Sequence, residues 1–217
     1  MHKKITHIIT EEHFAHPMAV EIKKLVDNIK PKSINSAQAM QLNTNLQNYF
    51  TTFVDDMRSI IVNMTEHDLW YGACKKAYTD IPAIETILAP YYGTDVTRNI
   101  TKIITTFVRE FSYFLQSASK TNNITYENFL QGSTNFEISL ASYLNRVNPD
   151  WDYNTIHTIL SLAVLAWIAQ ADAFLNKNTT VDDDNVAIIN KLFLTGQDNG
   201  TPSLSTVMYN GLMSQFG

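Results

Sequence analysis

The sequence predicts an all-α protein, a single bundle of about seven or eight helices. Three observations carry this expectation. Apolar residues recur at spacings of three and four through most of the chain. No stretch sustains the apolar alternation of period two that marks a half-buried strand. Between Ile156 and Ala169, one run is apolar on nearly every side, which predicts a helix near 152–175 enclosed by the others. Nothing repeats at the length of a solenoid unit.

Residues 1–35 read as an N-terminal arm with a short helix, ahead of a bundle domain over 36–217. The first 16 positions hold His2, His7, His13 and His16. Pro17 suits a first helical turn, Val20, Ile22, Leu25, Val26 and Ile29 are the apolar positions that follow, and Pro31 ends the segment. Ser33 to Ser36 supplies capping residues. Leu42, Leu46, Tyr49, Phe50, Phe53, Met57, Ile60, Ile61 and Met64 then predict one long helix or two abutting ones over about 37–78, with Gly72 as the weak point. Asp80 is expected to cap a short helix from Ile81 to Leu88, stopped by Pro90 and the turn Tyr91-Tyr92-Gly93.

Thr94 or Asp95 caps the next helix, whose face runs through Ile100, Ile103, Ile104, Phe107, Val108, Phe111, Phe114 and Leu115. Thr125 starts another, through Phe129, Phe136, Ile138, Leu140, Tyr143 and Leu144, with Gly132 interrupting. Asn148-Pro149 stops it, because a residue before proline resists the helical region. After the central run, Asp182, Asp183 and Asp184 place acids at the positive end of a helix reaching about Leu194. Gly196 to Pro202 is a break, and Ser203 caps a last helix through Val207, Met208, Leu212 and Met213.

At 217 residues the chain can bury a sizeable core. It is 45% hydrophobic and only 17% charged, so Asn, Thr, Ser and Gln furnish much of its surface, a composition compatible with packing against neighbours. A net charge of -5, with lysines clustered only in pairs, argues against nucleic acid and anionic lipid as partners. The run after Trp151 is shorter than the roughly 20 apolar residues of a span and meets Gln170 and Asp172, so no membrane span is expected. One cysteine, Cys74, excludes an intrachain disulfide. With no signal-peptide pattern at the N-terminus, it points to an intracellular, cytoplasmic setting.

The reactive residues do not assemble into a known chemistry. His13 and His16, with Glu11 and Glu12, are the weak metal candidates, but Pro17 pushes His16 out of the helical region. Glu66, His67 and Asp68 point to different faces of one helix. His157 has no Ser, Cys or carboxylate at an orienting helical spacing, and Cys74, beside Lys75 and Lys76, has no second thiol. Phosphate-cradling glycine loops, calcium loops and the Glu-x-x-His pairs of di-iron bundles are missing. No catalytic residue and no cofactor is therefore assigned. Trp70, Tyr71, Tyr91, Tyr92 and Trp167 could line a ligand cleft, although aromatics at helical spacing are more often core.

At Leu88-Ala89-Pro90-Tyr91-Tyr92-Gly93, at Leu140 to Trp151 (LASYLNRVNPDW) and at Val207 to Phe216 (VMYNGLMSQF), the chain resembles a family of small bacterial helical-bundle proteins. These come chiefly from spore-forming bacteria and have no established function. The similarity covers about residues 53–217 and rests on turn and packing patterns. The family places a histidine on each of three core helices, a set that could hold a metal, with a glutamate nearby. The matching positions here are Met64, Phe107 and Ala163, and Gln170 stands at the glutamate. The resemblance thus implies a bundle that has lost every proposed ligand.

The function these readings imply is a non-enzymatic structural or interaction protein, with a protein partner or self-association, as part of a larger assembly such as a virus particle. The Asn, Ile, Thr and Lys bias leaves room for a virus or its host. The alternative is a small-molecule-binding or divergent metal-dependent bundle.

Overall fold

A computed structural model describes residues 33–121, 124–125, 127–129 and 135–217. The arm with His13 and His16, the helix expected after Pro17, and Gly132 lie outside these residues. The described chain is all-α, with eight helices, one π-helical turn and no strand.

Asn35 opens the bundle. Its side chain accepts from the Gln38 amide while Gln38 Oε1 accepts from the Asn35 amide, both at 3.0 Å, a reciprocal cap that starts α1 (Ser36–Val62). The apolar positions expected for this stretch, Leu42 through Met64, are all buried. Of the two arrangements expected over 37–78, the structure has the two abutting helices: α1 stops at Asn63, whose side chain donates to the Ser59 carbonyl, and α2 (His67–Asp80) restarts after Glu66. Gly72 lies inside α2 and breaks nothing.

The next two boundaries also differ from expectation. Asp80 ends α2 and pairs with Lys76 rather than capping a helix. α3 (Ala83–Tyr92) contains Pro90 and stops only at Gly93, where φ is 77°, a backbone conformation that glycine takes without strain. Pro90, which lacks a backbone N–H, removes one hydrogen bond from a helix already near its end.

α4 (Thr94–Thr121) follows directly and buries Val96, Ile100, Ile104, Phe107, Val108, Phe111 and Leu115 along one face. Residues 127–129 are helical, the Asn128 amide donating to Thr125 Oγ1 as expected. α5 (Phe136–Val147) ends before Asn148-Pro149. α6 (Tyr153–Leu175) is capped by Asp152, which accepts from both the hydroxyl and the amide of Thr155, and these bonds hold its carboxyl below the usual range. α7 (Thr179–Asn190) passes into a π-helical turn, Lys191–Thr195, and Ser203 caps α8 (Leu204–Phe216) by accepting from the Thr206 amide.

α6 is the post of the bundle. Its Trp167 is fully buried and meets four rings from three other elements, Phe53, Phe107, Phe111 and Phe193, at centroid distances of 5.4 to 6.3 Å. Packed rings of this size dominate core energetics, so truncating Trp167 alone would cost about 3–5 kcal/mol. The post is not enclosed on all sides, however. Leu162 and Leu165 are 39% and 43% exposed, because α7 covers only part of that flank. By length and composition α6 is apolar enough to cross a membrane, and 56% of that window is buried inside the bundle.

Two ion pairs tie neighbouring helices. Arg58 on α1 grips Asp182 at the start of α7 with both guanidinium nitrogens, one at 2.6 Å, and Lys76 on α2 reaches Asp56 on α1 at 2.5 Å. At the closed end, the Ile34 amide donates to the Phe216 carbonyl, joining the two ends of the described chain.

Candidate functional site

The five aromatics expected around one cleft occupy three places. Trp167 is core. Tyr91 packs its ring on Phe216. Tyr92 is fully buried in a polar knot, where its hydroxyl donates to Gln215 Oε1 and accepts from Asn148 Nδ2, both at 2.9 Å. Asn148 Nδ2 also donates to the Gly211 carbonyl, and the Trp151 indole donates to the Met208 carbonyl at 3.0 Å. Burial drives the Tyr92 phenol pKa well up, beyond reach of physiological ionisation. Tyr92, Asn148 and Trp151 are buried in this knot, each held by a hydrogen bond, while Gln215 is partly exposed. The three stretches that carry the family resemblance meet here, so their residue choices are explained by packing.

Trp70 and Tyr71 do line a cleft, in different company. It lies between α2 and α4, with a volume of about 300 Å³. α2 supplies Trp70, Cys74 and Tyr78, one helical turn apart, with Tyr71, Lys75 and Thr79 beside them, and α4 supplies Ser112 and Tyr113. Cys74 and Ser112 are buried at its floor, whereas Tyr71 and Tyr113 are 61% and 62% exposed at its mouth. The Ser112 hydroxyl donates to the Val108 carbonyl at 2.5 Å. Burial pushes the Cys74 thiol up, opposed by a hydrogen bond with Ser112, so it is a neutral group and no nucleophile at neutral pH. Burial likewise raises the Tyr78 phenol, with Arg109 close enough to oppose the shift. The spacing Trp70, Cys74, Tyr78 was visible in the sequence. That Ser112 and Tyr113 close the other wall depends on where α4 crosses α2, which no local pattern encodes.

A larger concavity of about 600 Å³ runs along the incompletely covered flank of α6. One wall is Leu162, Leu165, Ala166 and Ala169, the other Asn185, Ile188 and Leu192 from α7 and the turn after it, spacings that put each set on one helical stripe. Ile188 is 46% exposed. Lys191, Gln197, Asp198 and Asn199 form a polar end, where Lys191 donates to Asp198 at 2.6 Å. Sequence reading missed this groove, since an all-round apolar helix says nothing about which side its neighbours leave open.

Met64, Phe107 and Ala163, where the resemblance implied lost histidines, and Gln170, where it implied a replaced glutamate, are all buried. Among the described residues, neither Gln170 amide atom has a hydrogen-bond partner. No three His, Cys, Asp or Glu side chains among the described residues converge as a metal site would require. His157 stacks on Tyr153, and His67 contacts Asp68 at the surface. No family model, no curated protein and no solved structure matches the chain.

Proposed function

We propose that this chain is a non-enzymatic interaction protein that receives an amphipathic helix of another protein chain, a partner's or a second copy's, in the groove between α6 and α7. The observation that carries this reading is the exposed apolar side chains Leu162 and Leu165 on α6 and Ile188 on α7, which line one groove with half-buried Ala169 and buried Leu192. Exposed contiguous apolar surface rimmed by polar groups is characteristic of contact sites. The concave shape favours a convex occupant, and the Leu162 to Ala169 stripe, on the order of 10 Å long, matches the width of one helix. Low surface charge supports the same reading, because charged groups are depleted at interface cores.

Sedimentation velocity of the full chain over a wide concentration range, alone and after isolation from its native source, tests this. Reversible self-association or a stoichiometric partner is expected, lost in Leu165→Glu while the helical circular dichroism stays unchanged. A chain that remains monomeric and partnerless, or an association that Leu165→Glu leaves intact, overturns the proposal.

A further inference from the structure

We propose that the cleft between α2 and α4 is a binding site for a small planar aromatic compound bearing an anionic group. It is a site separate from the α6 and α7 groove, built from different helices, so either can fail without the other.

Size, walls and charge each narrow the ligand class. About 300 Å³ is at the lower end of small-molecule sites and suits one or two fused rings. The walls are aromatic: Trp70 is buried against the cleft and Tyr71, Tyr78 and Tyr113 surround its mouth. Rings placed this way hold another ring by offset or edge contacts, which a branched aliphatic compound cannot reproduce. Tyr71 and Tyr113 leave more than half of their surface in water, and a flat ligand seated between them would cover both. The floor is uncharged, since the Cys74 thiol stays protonated and the Ser112 hydroxyl is engaged with Val108. The charge lining the cleft is cationic. Among the described residues Lys75 lines it and no carboxylate does, and Arg109 is close enough to act on the Tyr78 phenol. A carboxylate or sulfonate on the ring would therefore be drawn to the Lys75 side, whereas an ammonium would be repelled.

The test is titration of the full chain with naphthoate, with neutral naphthalenemethanol and with cyclohexanecarboxylate, followed by calorimetry. Naphthoate should bind saturably at one site, and naphthalenemethanol about tenfold more weakly. Cyclohexanecarboxylate should not bind. Tyr113→Ala and Tyr71→Ala, both at exposed positions, should each weaken naphthoate by about tenfold or more, and Lys75→Gln should bring it to the level of the neutral ring. Leu165→Glu should bind naphthoate as the native chain does. Absence of saturable naphthoate binding, equal affinity for the neutral ring, or affinity that survives both tyrosine substitutions overturns the proposal. So does a loss of self-association on Tyr113→Ala without a change in naphthoate binding, which would assign the cleft to a protein partner.

Discussion

Gly211 shows how tightly single residues are constrained in the knot around Tyr92. A Cβ there would sit 2.2 Å from Trp151 Cδ1 and 2.3 Å from its Nε1, and the indole is held by its bond to Met208. Gly211→Ala should therefore destabilise the fold by about 1–3 kcal/mol, read from urea unfolding, as overpacking of a filled core does. An unchanged midpoint would mean that the indole is free to move. Gln170 makes the opposite prediction. Its buried amide has no partner on either atom among the described residues, so Gln170→Met, similar in length and apolar, should raise stability by roughly 1–3 kcal/mol. A loss of stability would show that something polar occupies that part of the core. At this scale the sequence was informative about identity and silent about partners. Asn148-Pro149 announced a helix end, but not that Asn148 would bridge Tyr92 and Gly211.

Between elements, α1 and α2 are coupled by Lys76, which donates to Asp56 and to Asp80. The two partners respond differently. The hydrogen bond to Asp56 raises the Lys76 ammonium, a gain from the contact, whereas burial pushes the Asp56 carboxyl above its ordinary 3.8 despite the lysine. The carboxylate loses more to desolvation than it recovers from the ion pair. An acid with a raised folded pKa keeps its proton longer in the folded state. Its contribution to stability therefore declines as pH rises from 3.8 through the folded value. Asp56→Asn cannot ionise, so the difference between native and variant unfolding free energies should shrink as pH falls below that window. A difference that grows in favour of the variant at low pH would show the ion pair outweighing burial. Helix faces were legible because the apolar period of α1 and α4 is strong. The position of the break within 37–78 was not, because Gly72 costs its helix only about 1 kcal/mol, too little to break a packed segment. The actual break falls at Asn63, where a side chain takes a backbone carbonyl.

For the molecule as a whole, the all-helical class and the central place of α6 follow from composition and periodicity, and the open flank of α6 does not. Whether a helix is covered on four sides or three depends on how many neighbours reach it, a property of assembly order that no window of sequence contains. The account rests on that flank being the place where another chain lies. The most direct measurement is the thiol alkylation rate of Leu165→Cys, in a Cys74→Ser background, as protein concentration rises. Met40→Cys, at a position 75% exposed on α1, serves as the reference. The rate at position 165 should fall as the chain associates while that at position 40 holds steady; equal rates at both positions in the associated state would contradict the account.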